Sequence, residues 1–128
     1  MKIKTTYNIR LICNKLVDQS KKEGLLFSKG ILFFVLHDKE IPVAFFGLKI
    51  NNKTAIIKCD YVSKDYRGNR LLYKMIKYRL DWLKKKVPSV KKVFANTTEM
   101  ATSSHIKSGA KILNQYKNKI TKVEYEIL

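Results

Sequence analysis

Six consecutive apolar residues, Ile31, Leu32, Phe33, Phe34, Val35 and Leu36, leave no polar side for solvent whichever way the segment is turned. The run is rich in β-branched and aromatic types and far shorter than the roughly 18 residues a membrane span needs, so it reads as a strand covered on both faces. Such a strand belongs inside a sheet, and the rest of the chain must supply a layer for each of its sides. A polar turn at His37, Asp38, Lys39 and Glu40 leads into a second strand over 41–50, where Pro42 is tolerated near the start because it brings no N–H. Asn51-Asn52 marks a tight hairpin and a third strand covers 54–62, which makes 31–62 an antiparallel meander.

Helical periodicity stands on either side of that meander. After a short strand at 2–5, Ile9, Ile12, Cys13, Leu16 and Val17 recur at three- and four-residue spacing and predict an amphipathic helix over 7–22. Leu72, Met75, Ile76, Arg79, Leu80 and Leu83 form a second stripe on a long helix over 70–86, with Lys74, Lys77, Asp81, Lys84 and Lys85 on its other side and Pro88 just beyond its end. A strand at 91–96 then closes a right-handed parallel crossover. A short helix at 102–108 stopped by Gly109, and a terminal hairpin of 111–116 with 121–127, complete the chain. The predicted order is β-α-β-β-β-α-β-α-β-β. This is an α/β (α+β) arrangement with a mixed, mainly antiparallel central sheet and flanking helices, in one domain over 1–128, since no linker or repeat divides it.

Charge narrows the partners. The 128 residues carry 27 Lys plus Arg against 10 Asp plus Glu, a formal charge of +17, while 45% hydrophobic content excludes a disordered basic tail. Lysines gather on and after the long helix and again near the chain's end, so an acidic partner is expected, a nucleic acid or a protein associated with one. Phe33, Phe34, Phe45 and Phe46 lie in apolar strands and belong to the core, whereas Tyr7, Tyr66, Tyr73 and Tyr78 are placed for exposure. No RNA-binding, helix-turn-helix or zinc-finger spacing is present. The chain turns polar at Thr5, without the apolar region of a secretory signal, which predicts a cytoplasmic protein that is not membrane-bound. Cys13 and Cys59 have no Cys or His at ligand spacing, so neither a disulfide framework nor a metal site is expected. His37 is expected on the surface of its turn.

The loop 63–70, Ser-Lys-Asp-Tyr-Arg-Gly-Asn-Arg, joins the third meander strand to the long helix. Unpaired N–H groups at a helix start attract anions, Gly68 permits a sharp turn, and Arg67 and Arg70 add charge-assisted donors; the same residues also suit a plain turn with solvated arginines. Here the chain resembles the GNAT superfamily of N-acetyltransferases over nearly its whole length. Arg67-Gly68-Asn69-Arg70-Leu71-Leu72 is similar to the family's acetyl-coenzyme A pyrophosphate loop, Q/R-x-x-G-x-G/A, with Arg67 at the Q/R position, Arg70 at the first Gly and Leu72 at the second small residue. The segment 98–110 is similar in spacing to a second family element, with Ala101 at its small residue, Thr98 at its Asn, Gly109 at its Gly and Ala110 at its Phe. His105 falls where the family places a Tyr that protonates the coenzyme A thiolate.

The resemblance implies an acyl-CoA N-acyltransferase fold and transfer of an acetyl group from acetyl-CoA to an amine. Such a reaction needs a group to take the amine's proton, donors for the oxyanion and an acid for the departing thiolate. Backbone N–H groups of Tyr61, Val62 and Ser63 would bind the acyl carbonyl, and Arg67, Gly68, Asn69, Arg70 and Leu71 the coenzyme. Asp60 is the candidate base, on condition that burial raises it above an ordinary carboxylate, and an exposed strand carboxylate paired with a Lys is the alternative. His105, with an ordinary pKa near 6.5, is the candidate acid, and an exposed residue on a helix turn is the alternative there. For the whole chain the alternative function is a non-catalytic, basic nucleic-acid-binding module on a degenerate fold of this type. Monomer and homodimer are both open.

Overall fold

The apolar run is an interior strand whose two faces are both buried. In the computed structural model, which describes residues 1–127, β2 (Leu32–Asp38) lies between β1 (Lys2–Thr6) and β3 (Ile41–Asn51), and every residue from Leu32 to His37 is buried. α1 (Arg10–Lys22) follows β1, and β4 (Thr54–Val62) follows β3 through the expected hairpin, with Asn52 at φ 55 in its turn. A single 3₁₀ turn (Lys64–Tyr66) leads to α2 (Leu71–Lys86), then β5 (Lys92–Thr97), α3 (Glu99–Lys107), β6 (Lys111–Gln115) and β7 (Thr121–Glu126). The seven strands run in the order β1-β2-β3-β4-β5-β7-β6. β4 and β5 pair in parallel, as the crossover rule requires, and the pairs β1–β2, β2–β3, β5–β7 and β6–β7 are antiparallel.

The chain divides into two compact units that share β4, one of Met1–Lys49 with Lys58–Asn69, the other of Ile50–Ile57 with the chain from Arg70 on. In the first unit α1 lays Ile9, Cys13, Leu16 and Val17 against Phe33, Val35, Phe45 and Tyr61. Phe27, Phe33, Phe45 and Tyr61 pack there in tilted and edge-on contacts, with centroids 5.6 to 6.0 Å apart. α1 starts at Arg10 rather than at position 7. Thr6 extends β1 opposite Phe33 and its hydroxyl accepts the Asn8 N–H at 2.9 Å, which turns the chain before the helix begins. In the second unit α2 buries Leu71, Met75, Ile76, Arg79 and Leu83, and α3 packs on α2, β5 and β7. Fully buried Arg79 is held by its own helix, with Nε donating to the Met75 carbonyl at 3.1 Å.

His37 is not turn surface. β2 runs on to Asp38 with a register shift between Leu36 and His37, and the ring is buried with Nδ1 3.2 Å from the Val35 carbonyl. Tyr66 is half-buried rather than exposed, since its hydroxyl donates to Asp38 Oδ2 at 2.8 Å. No helix among the described residues is long and apolar enough to cross a membrane.

Candidate active site

Two strand irregularities shape the end of β4. Cys59 adopts φ 60, a left-handed conformation rare for a residue with a side chain, and next to it β4 passes so close to Gly47 of β3 that a Cβ there would lie 2.3 Å from the Lys58 carbonyl oxygen. Asp60 Oδ1 accepts the Gly47 N–H at 3.1 Å. The candidate base therefore bonds to the backbone of the neighbouring strand, a role its sequence position did not suggest. The parallel ladder of β4 with β5 reaches only to Ile57↔Ala95, although β4 continues to Val62 and β5 to Thr97. The Ser63 N–H, one of the three expected donors, is bonded to the Val43 carbonyl at 2.8 Å.

Arg67 leads into a cluster that sequence reasoning missed. Its Nη2 meets Glu23 Oε1 at 2.6 Å, its Nε donates to the Val62 carbonyl at 2.9 Å, and its guanidinium stands 5.5 Å from the Tyr61 ring centroid. The Tyr61 hydroxyl donates to the other Glu23 oxygen. Those partners hold the Glu23 carboxyl below its ordinary range, the Tyr61 hydrogen bond first and Arg67 next. Burial first, and then Glu23, pushes the Tyr61 phenol up. Glu23 lies just past α1 among Lys, Lys and Gly, with no pattern that points across to β4.

The loop then enters α2 with two left-handed residues, Gly68 at φ 84 and Arg70 at φ 59, ψ 24. Arg70 is the N-cap of a 16-residue helix that has no side-chain cap bond and no acidic residue in its first turn. Its guanidinium lies 5.5 Å from the Tyr73 ring centroid. An anionic cofactor fits this element. Uncapped N–H groups attract phosphate oxygens, the Cβ direction of Gly68 has nothing within 4 Å, and the exposed Arg67–Glu23 pair is weak enough to exchange for a phosphate.

In the second unit, α3 begins at Glu99, three residues ahead of expectation, because Thr98 is extended and Glu99 favours the first turn. His105 is buried at 3% exposure, not on an exposed turn. Its carbonyl accepts both the Ala110 N–H at 3.1 Å, as part of the turn made by Gly109 at φ 103, and the Tyr125 hydroxyl at 3.2 Å. Tyr125 Oη also lies 2.6 Å from His105 Nδ1. The phenol oxygen thus bridges the ring and the backbone carbonyl of the same histidine, and which of Nδ1 and Oη donates across the shorter contact follows from the ring's tautomer. Tyr125 sits on an alternating strand whose pattern carries no sign of this pairing.

The sequence model of the acetyltransferase (GNAT) family matches residues 5–105. The chain belongs to the GNAT family. That membership brings an acetyltransferase domain and acetyl-CoA as the family's acyl donor. Solved structures share the fold. An aminoglycoside 6'-N-acetyltransferase complexed with coenzyme A is 11% identical, with 100% of this chain and 98% of that one covered and a TM-score of 0.77. The PaiA N-acetyltransferase of Thermoplasma acidophilum, in complex with coenzyme A, is 13% identical, with 98% and 99% covered and a TM-score of 0.68. An N-acetyltransferase of Staphylococcus aureus Mu50 is 13% identical, with 98% and 97% covered and a TM-score of 0.72. A search of curated proteins found no match.

Proposed function

We propose that this GNAT protein, acting as one domain in the cytoplasm, transfers the acetyl group of acetyl-CoA to a primary amine. The observation that carries the reading is Arg70. At the loop position where the family pattern has Gly, the chain keeps the left-handed backbone that Gly would supply, although a side chain there costs about 1 kcal/mol or more. When bound, acetyl-CoA supplies an acyl group already activated as a thioester.

The chain's own residues do the rest. Backbone N–H groups of Gly68, Asn69, Arg70 and Leu71 hold phosphate oxygens, joined by the guanidinium groups of Arg67 and Arg70. The N–H groups of Tyr61 and Val62 orient the acyl carbonyl. Asp60 is the candidate to take the amine's proton and His105 the candidate acid for the departing thiolate. Two free cysteines are in keeping with a cytoplasmic setting.

Release of free thiol from acetyl-CoA, followed across a panel of amines, tests the activity. Amine-dependent release is expected, slowed about 100-fold in His105→Ala with KM for acetyl-CoA retained. Thiol release that ignores the added amine would contradict it. A second reading, the non-catalytic polyanion-binding module, is favoured by the formal +17 charge and the exposed lysines of α2 at 74, 77, 84, 85 and 86. The same surface suits an acidic or nucleic-acid-associated acceptor. β6, an edge strand exposed along its length, suits either a monomer or a homodimer.

A further inference from the structure

The first unit contains a cavity of about 360 Å³, within the size range of small-molecule sites, that none of the roles above uses. Ile12 and Leu16 of α1 line it together with Ile41 and Pro42 at the start of β3. α1 is kinked at this point, since Cys13, another lining residue, has φ −143 and ψ 57 inside the helix. Two further features decide what the cavity takes. Ser63 lines it, and Ser63 directly follows Val62, whose N–H is assigned to the acyl carbonyl, so the cavity opens beside that end of β4. Exposed Lys15 is its one charged lining residue, and no Asp or Glu lines it.

We propose that this cavity receives the acceptor, and that it selects a primary amine with a compact apolar body and no second positive charge. The assignment as acceptor site rests on the acetyl-transfer reading. The apolar body lies against Ile12, Leu16, Ile41 and Pro42, where it leaves water. A second ammonium group would find no carboxylate among the lining residues and would meet Lys15 and a protein of formal charge +17, whereas a carboxylate at the same end would be attracted. In the transfer, the amine nitrogen forms the C–N bond as the thioester C–S bond breaks. The nitrogen gives up one proton, and the sulfur leaves as a thiolate and takes up a proton to become the thiol.

Three probes of equal chain length separate these effects: hexylamine, 6-aminohexanoate and hexane-1,6-diamine. Their binding is read from the isoleucine methyl resonances of the intact protein, with no need for turnover. The methyl groups of Ile12 and Ile41 are expected to shift with hexylamine and 6-aminohexanoate at concentrations about fivefold below those needed for the diamine, the size of one water-screened charge contact. Ile41→Glu, at a position 64% exposed and therefore tolerant, should reverse that order in favour of the diamine. Shifts confined to other residues, or an order unchanged by Ile41→Glu, would overturn the proposal. Should the probes behave as expected while acetyl-CoA fails to bind, the amine preference of the cavity stands and the acetyl-transfer reading falls.

Discussion

An alanine at position 47 would bring its Cβ to 2.3 Å from the Lys58 carbonyl oxygen and 2.7 Å from Ile31 Cγ2. Neither neighbour is the free end of a flexible side chain, so Gly47→Ala should lower stability by about 3 kcal/mol in urea unfolding. The cue was present in the sequence, since a lone Gly inside an apolar strand signals a bulge or a close approach. Asp60 was legible only as a carboxylate near a strand end. Its bond to the Gly47 N–H depends on the left-handed turn at Cys59, which no pattern announces. Glu23 yields a prediction with a definite sign. Its carboxyl lies below the ordinary value of 4.5, held there by Tyr61 and Arg67. A depressed carboxyl contributes stability above its unfolded value and loses it as pH falls through the folded one. Urea unfolding of Glu23→Gln should therefore show a shallower loss of stability than wild type between about pH 5 and pH 3.

At the scale of elements, two helix ends carry the account. Arg70→Gly removes a left-handed conformation that costs a side chain about 1–2 kcal/mol, against a smaller entropy loss for Gly. Thermal unfolding should show a net gain of about 0.5–1 kcal/mol. Tyr125→Phe removes the phenol oxygen 2.6 Å from His105 Nδ1, at a cost of about 1–3 kcal/mol. It also frees the tautomer. The ring nitrogen chemical shifts of His105 should report a single protonation site in wild type and a mixture in the variant. The element order was fully legible, because the meander, the lysine-flanked long helix and the crossover each have their own periodicity. α3 was placed late because Glu99 to Lys107 has no apolar stripe, and its one fully buried side chain is a histidine. Burial of His105 comes from its pairing with Tyr125 of β7, twenty residues on, beyond the reach of local pattern.

At the scale of the whole molecule, a member of the GNAT acetyltransferase family carries an excess of positive charge that draws any phosphate toward it. The charge was readable from composition alone, yet composition does not separate one specific anion from polyanions in general. Arg67→Ala makes the separation for the loop, since loss of a bidentate phosphate donor should weaken acetyl-CoA binding by about tenfold while leaving salt-driven DNA attraction nearly intact. The most direct measurement is calorimetric titration of acetyl-CoA at about 0.15 M salt, with ATP and a short DNA duplex as competing anions. One acetyl-CoA per chain is expected, bound in preference to ATP and weakened by Arg67→Ala. Binding that fails to distinguish acetyl-CoA from ATP, together with strongly salt-dependent DNA binding, would contradict it.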